Sequence, residues 1–152
     1  MIALQFAAED GWPSRLIEFY GHGAFSHVDA VLPDGNLLGA RLMGGVAIRK
    51  DGYAHFARTR RIDLDALATP AQAEAFYAFL TRQVGKPYDS WAIAGFVSGR
   101  DWRADDKWFC SELAAAALEA AGIIRRLLTP ANKLTPPDLL LVLSALTDLE
   151  AA

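Results

Sequence analysis

The chain has 152 residues, of which 53% are hydrophobic and 22% charged, and 15 Lys and Arg stand against 18 Asp and Glu for a net charge of −3. That balance excludes disorder, suits one domain with a sizeable core, and gives no reason to expect nucleic acid as a partner, since the only dense basic run, Arg58, Arg60 and Arg61, reads as a solvated strand face. A single cysteine excludes an intramolecular disulfide framework and fits a reducing compartment. The first residues lack a basic segment and soon meet Glu9 and Asp10, so no signal peptide is legible and a cytoplasmic location is expected. The longest apolar run, Leu139 to Leu146, is about half of the ~20 residues that a membrane span needs.

In chain order, residues 2–8 read as a strand. Trp12, Pro13 and Ser14 then open a short helix through Tyr20, broken at Gly21, His22 and Gly23. Residues 25–32 and 37–42 read as strands joined by Pro33, Asp34 and Gly35, where proline presets φ and glycine supplies the left-handed position. Gly44 and Gly45 precede a strand at 46–49, and Asp51 and Gly52 mark a turn before a strand at 55–64. Together these pieces predict a small antiparallel meander of about five strands. Thr69 and Pro70 cap a helix over 71–84, closed by Gly85, Lys86 and Pro87. A second, mostly apolar helix is expected over 88–97, and Thr135, Pro136 and Pro137 announce a final one. Strands followed by helices make an α+β fold in one domain over residues 1–152.

The cysteine itself opens an alanine-rich helix. Cys110-Ser111-Glu112-Leu113 leads into Ala114 to Ala117 and ends at Gly122, with Asp105 and Asp106 as candidate caps. Near the first turn, the free N–H groups and the positive end of the helix dipole favour a thiolate, so Cys110 is a candidate nucleophile expected to titrate below the ~8.5 of a free thiol. The alternative is a small buried hydrophobe. Upstream, His27 and Asp29 lie two apart on a strand, which points both to one face. Cysteine hydrolysis needs an imidazole to take the thiol proton and return it to the leaving group. Neither His22, which could line the cleft, nor His55 makes a metal-ligand spacing with Cys110, and no phosphate or dinucleotide motif is present, so no metal and no cofactor are expected.

Ser26-His27-Val28 running into an apolar strand, Gly85-Lys86-Pro87-Tyr88-Asp89, and Phe109-Cys110-Ser111-Glu112-Leu113 occur in an order that resembles NlpC/P60-like papain-fold cysteine hydrolases. With the histidine strand first, the chain resembles the circularly permuted branch, over roughly residues 2–143. The resemblance implies a sheet packed on helices, Cys110 as nucleophile and His27 as base and acid. It also implies an oxyanion site using the Cys110 N–H, Tyr88 and Ser111 as substrate or oxyanion contacts, and Glu112 in support.

The chain departs from that pattern at the third catalytic position, where the family carries a polar residue and this chain has Gly39. If Leu32 pairs with Asn36, Asp29 lies opposite Gly39, and the vacancy leaves room for its carboxylate to approach His27. The alternative is that Asp29 pairs with Arg41 across the strands. The implied substrate is an amide in a peptide or peptidoglycan fragment. Lipid-ester or thioester hydrolysis or acyl transfer on the same scaffold, and a non-catalytic binding module, stand as alternatives.

Overall fold

The computed structural model describes residues 1–11, 15, 17–19, 22–89, 107–127 and 134–146. Five strands, β1 (Ala3–Glu9), β2 (His27–Val31), β3 (Leu37–Arg41), β4 (Gly45–Arg49) and β5 (Phe56–Asp63), form one antiparallel sheet. After a 3₁₀ turn at Asp65–Leu67 come α1 (Pro70–Gln83), α2 (Cys110–Ala120) and α3 (Pro136–Leu146). The architecture is α+β, as the segregation of strands and helices implies. Among the described residues no helix is long and apolar enough to cross a membrane.

The sheet order is β4-β3-β2-β1-β5, which corrects the expected meander at its last strand. β5 does not pair with β4; it crosses back and pairs with β1, Leu4 opposite Ile62 and Phe6 opposite Arg60. The physical reason is that the outer edge of β4 is already taken. Val46 N–H donates to the Lys86 carbonyl at 2.9 Å and Gly85 N–H to the Val46 carbonyl at 2.9 Å. Gly45, at φ +58, permits this, because a Cβ there would collide with the Lys86 oxygen. The 50–55 connection therefore leads from β4 to the far edge of the sheet, and Tyr53 on it packs against Ala3, Val31 and Leu37. Arg58 and Arg61 are exposed on β5 and Arg60 is half-buried.

Alternation along the strands builds the main core. Leu4, Phe6, Val28, Ala30, Leu38, Ala40 and Ile62 are buried with Phe76 and Leu80 of α1, Leu113 and Leu118 of α2, and Leu139 and Leu143 of α3. Each large apolar side chain so buried contributes about 1.5–3 kcal/mol. α2 packs on both β2 and β3 and buries Ala114, Ala115 and Ala117 beside Leu113 and Leu118.

The helix ends follow their sequence signals. Thr69 accepts from Gln72 N–H at 3.3 Å while the Gln72 side chain accepts from Thr69 N–H at 3.0 Å, a reciprocal cap ahead of Pro70. α2 ends with Gly122 at φ +67, its N–H on the Glu119 carbonyl and the Ile123 N–H on that of Leu118, a Schellman motif. Thr135 and Asp138 cap α3 in the same reciprocal way. Two expectations change. Tyr88 does not begin a helix; it forms an isolated parallel bridge with Trp108, and the remainder of that segment lies outside the described residues. Arg15 and residues 17–19 are helical; the rest of the expected 12–20 helix lies outside the described residues.

Candidate active site

The β2–β3 turn sets the register. Leu32 N–H donates to the Asn36 carbonyl at 2.8 Å and Gly35, at φ +84, donates to Leu32 at 2.9 Å. Val31 then faces Leu37 and Ala30 faces Leu38, so the next pair is Asp29 with Gly39. The Asp29 carboxylate fills the space above that glycine, since a Cβ at Gly39 would overlap Oδ1. From there Oδ1 lies 2.9 Å from His27 Nε2. The approach is at ion-pair distance, and Oδ1 is buried with no other partner among the described residues.

Cys110 reaches the pair through the bridge between the 87–89 and 108 segments. Trp108 N–H donates to the Pro87 carbonyl at 3.1 Å and Asp89 N–H to that of Trp108 at 3.0 Å, which brings Phe109 and Cys110 beside Tyr88. Cys110 is the first residue of α2, with Phe109 as N-cap. Phe109 has no capping hydroxyl or carboxylate, so Glu112 reaches back to its N–H at 3.4 Å. Asp105 and Asp106, the caps expected from sequence, lie outside the described residues. The Cys110 N–H, at the first turn, has no carbonyl four residues back inside its helix. His27, Asp29 and Cys110 are 6%, 2% and 2% exposed, so their electrostatics are strong.

Burial pulls the His27 pKa down. The charge of Asp29, contact with that carboxylate, and contact with the Cys110 side chain outweigh this and raise it to about 10. Burial pushes Asp29 up, but the charge of His27, the contacts with His27 and Tyr53, and the charge of Arg41 bring it below the usual carboxylate value. With Nε2 engaged by Asp29, Nδ1 is the nitrogen left to exchange a proton with the sulfur.

Tyr53 is the residue that sequence reasoning missed. Its hydroxyl donates to Asp29 Oδ2 at 2.8 Å and lies 3.2 Å from His27 Nε2. Arg41 does not pair with Asp29 directly. Its guanidinium donates to the Tyr53 oxygen at 2.7 Å and to Glu9 Oε2 at 2.8 Å. The only sequence signal near Tyr53 was the Asp51-Gly52 turn, which marks a reversal and says nothing of what the next residue will face.

The other predicted residues divide. Tyr88 stands close by, its ring 5.8 Å from that of Phe109; burial first, and then the charge of Cys110, keep its hydroxyl protonated. The Ser111 side chain is wholly buried and donates to the Leu134 carbonyl, because the second position of α2 points away from the first and into the contact with the 134–135 segment. His22 and His55 are exposed. Among the described residues no group of three or more His, Cys, Asp or Glu side chains is placed to hold a metal ion.

No protein-family model matches the chain and no curated protein matches it. Five chains among solved structures do. One is the crystal structure of metalloprotein yiiX from Escherichia coli O157:H7, DUF1105, at 21% identity and a TM-score of 0.63, over 81% of this chain and 66% of that one. This chain thus spans just under two thirds of that protein's length, and the likeness is one of fold.

Proposed function

We propose that this protein is a cysteine hydrolase of the papain-like, circularly permuted NlpC/P60 kind, acting on an acyl group through a thioester on Cys110. One observation carries the reading: the buried imidazole of His27 contacts the Cys110 side chain at the start of α2 and faces the Asp29 carboxylate at 2.9 Å. In the first half-reaction the Cys110 sulfur, its proton already resting on His27 Nδ1 because the imidazole pKa is raised to about 10, attacks the carbonyl carbon. The oxyanion is met by the Cys110 N–H, with the Tyr88 hydroxyl as second donor. Collapse expels the amine or alcohol, which leaves with the proton from His27. Water then attacks the thioester, giving its proton to His27, and a carboxylic acid and the free thiol result.

The resemblance favours an amide in a peptide or cell-wall fragment as substrate. One observation favours the lipid-acyl alternative. Phe19, Leu42 and Met43, which are 69%, 60% and 86% exposed, lie on the two connections that leave the sheet at the His27 end. A binding module without turnover was suggested by the bare Gly39, and Asp29 filling that space weakens it.

The test uses iodoacetamide and p-nitrophenyl acetate. Rapid alkylation of Cys110, an acetyl adduct seen by mass spectrometry, and loss of both in His27→Ala and of the adduct in Cys110→Ala are expected. Alkylation at the rate of a free thiol, equal in wild type and His27→Ala, would end the hydrolase reading.

A further inference from the structure

We infer that Tyr53 is a positioning residue of this site: anchored by the Arg41–Glu9 ion pair, it holds the Asp29 carboxylate in the orientation that faces His27. Its catalytic consequence rests on the cysteine-hydrolase reading; the positioning itself does not.

The direction of the Tyr53 hydroxyl is determined from both sides. Arginine can only donate, so the 2.7 Å contact from Arg41 Nη1 uses a lone pair of the phenol oxygen and leaves its proton for Asp29 Oδ2 at 2.8 Å. The 3.2 Å contact with His27 Nε2 then has Tyr53 as acceptor, which again puts the ring proton on Nε2. The ring is held as firmly. The Arg41 guanidinium lies 4.8 Å from its centroid, the Arg49 guanidinium 5.5 Å, and the Phe56 ring packs on it edge to face at 5.6 Å.

Asp29 needs such a clamp. The torsion that turns an aspartate carboxylate is broad and two-fold, and Oδ1, buried, has only His27 to hold it among the described residues. With Oδ2 fixed on Tyr53, Oδ1 is left wedged over Gly39 and against Nε2. The charged groups around Asp29 are His27 on β2, Arg41 on β3 with Glu9 of β1 behind it, Arg49 of β4 above the Tyr53 ring, and Cys110 of α2 beyond the imidazole. Tyr53 is the neutral link between the two ion pairs.

Tyr53→Phe keeps the ring and removes the hydroxyl. Hydrolysis of p-nitrophenyl acetate should lose at least about tenfold in kcat with KM unchanged. The acid limb of the pH profile for Cys110 alkylation should move up as Asp29 loses a donor. Arg41→Leu should reproduce both effects, and Arg41→Lys, a cation that still only donates, should restore most of the loss. In an Asp29→Asn background Tyr53→Phe should cost nothing further. A carbon-13 titration of the Asp29 carboxylate reads the same shift without any substrate. It therefore decides the role of Tyr53 even if no acyl group is turned over, an outcome that would sink the hydrolase reading alone. An unmoved acid limb and carboxylate titration, or equal losses with and without Asp29, would reduce Tyr53 to a packing residue and overturn the inference.

Discussion

The Asp29 carboxylate occupies the volume that a side chain at Gly39 would fill, and from there it faces His27 Nε2 at 2.9 Å. The carboxylate that faces the histidine thus stands on the histidine's own strand, two residues on, and the bare glycine on the neighbouring strand is a condition of that approach.

Gly39→Ala should expel the carboxylate. The methyl group would overlap Oδ1, and Val28 O and the Asp29 carboxyl carbon close off its other sides. A displaced orienter misaligns His27, so alkylation of Cys110 and ester hydrolysis should fall by about a hundredfold while the far-ultraviolet spectrum stays that of the wild type. An alanine variant with wild-type rates would separate Asp29 from the chemistry.

Asp29→Asn tests the charge rather than the volume. The amide cannot stabilise an imidazolium, and turnover should fall between about tenfold and several thousandfold, the upper end approaching the ~10⁴ of the serine-protease template. The histidine titration, followed by NMR, should shift down from about 10, because the Asp29 charge is the main group raising it. A turnover within twofold of wild type would leave a plain Cys–His dyad.

Stability should depend on pH with a defined sign. The folded His27 value is raised from 6.5 to about 10, so its stabilisation is whole below 6.5 and is lost as pH rises through about 10. The folded Asp29 value is lowered from 3.8, so its share is present above 3.8 and is lost as pH falls through the lowered value. Urea midpoints measured from pH 6.5 to 10 should decline in the wild type and stay flatter in His27→Gln. A parallel decline in both would place the dependence elsewhere.

Ser111→Ala should read as a stability change. Removing its hydroxyl leaves the buried Leu134 carbonyl without that donor, at a cost of about 1–3 kcal/mol. Chemical denaturation measures it, and a large loss of kcat in a fully folded variant would return Ser111 to the oxyanion site.

Much of the frame was legible because its signals are local. Thr69-Pro70, Pro33-Asp34-Gly35 and Gly122 specify backbone dihedrals or caps within a few residues, and each does so in the folded chain. Even the opposition of Asp29 and Gly39 follows from counting outward from a tight turn. The position of β5 was not legible, because alternation identifies a strand without naming its partner; Lys86, far along the chain, takes the edge that β5 would have extended. Ser111 and Glu112 illustrate a finer limit. Neighbours of a reactive cysteine share its segment, but a helix turns about 100° per residue and sends their side chains elsewhere.

The sequence by itself therefore determined the α+β order of elements, the turn that aligns β2 with β3, and a short set of residues, Cys110, His27 and Asp29, that the fold brings into contact. Only the tertiary structure decided that Tyr53 belongs with them and that Arg41 reaches Asp29 through Tyr53 while paired to Glu9. The reason is physical. Turn and helix signals act through bonds and dihedrals of adjacent residues. The direction of the Tyr53 hydroxyl is set by which donors and acceptors packing brings around it, and those come from two strands, β2 and β3, that precede it in the chain.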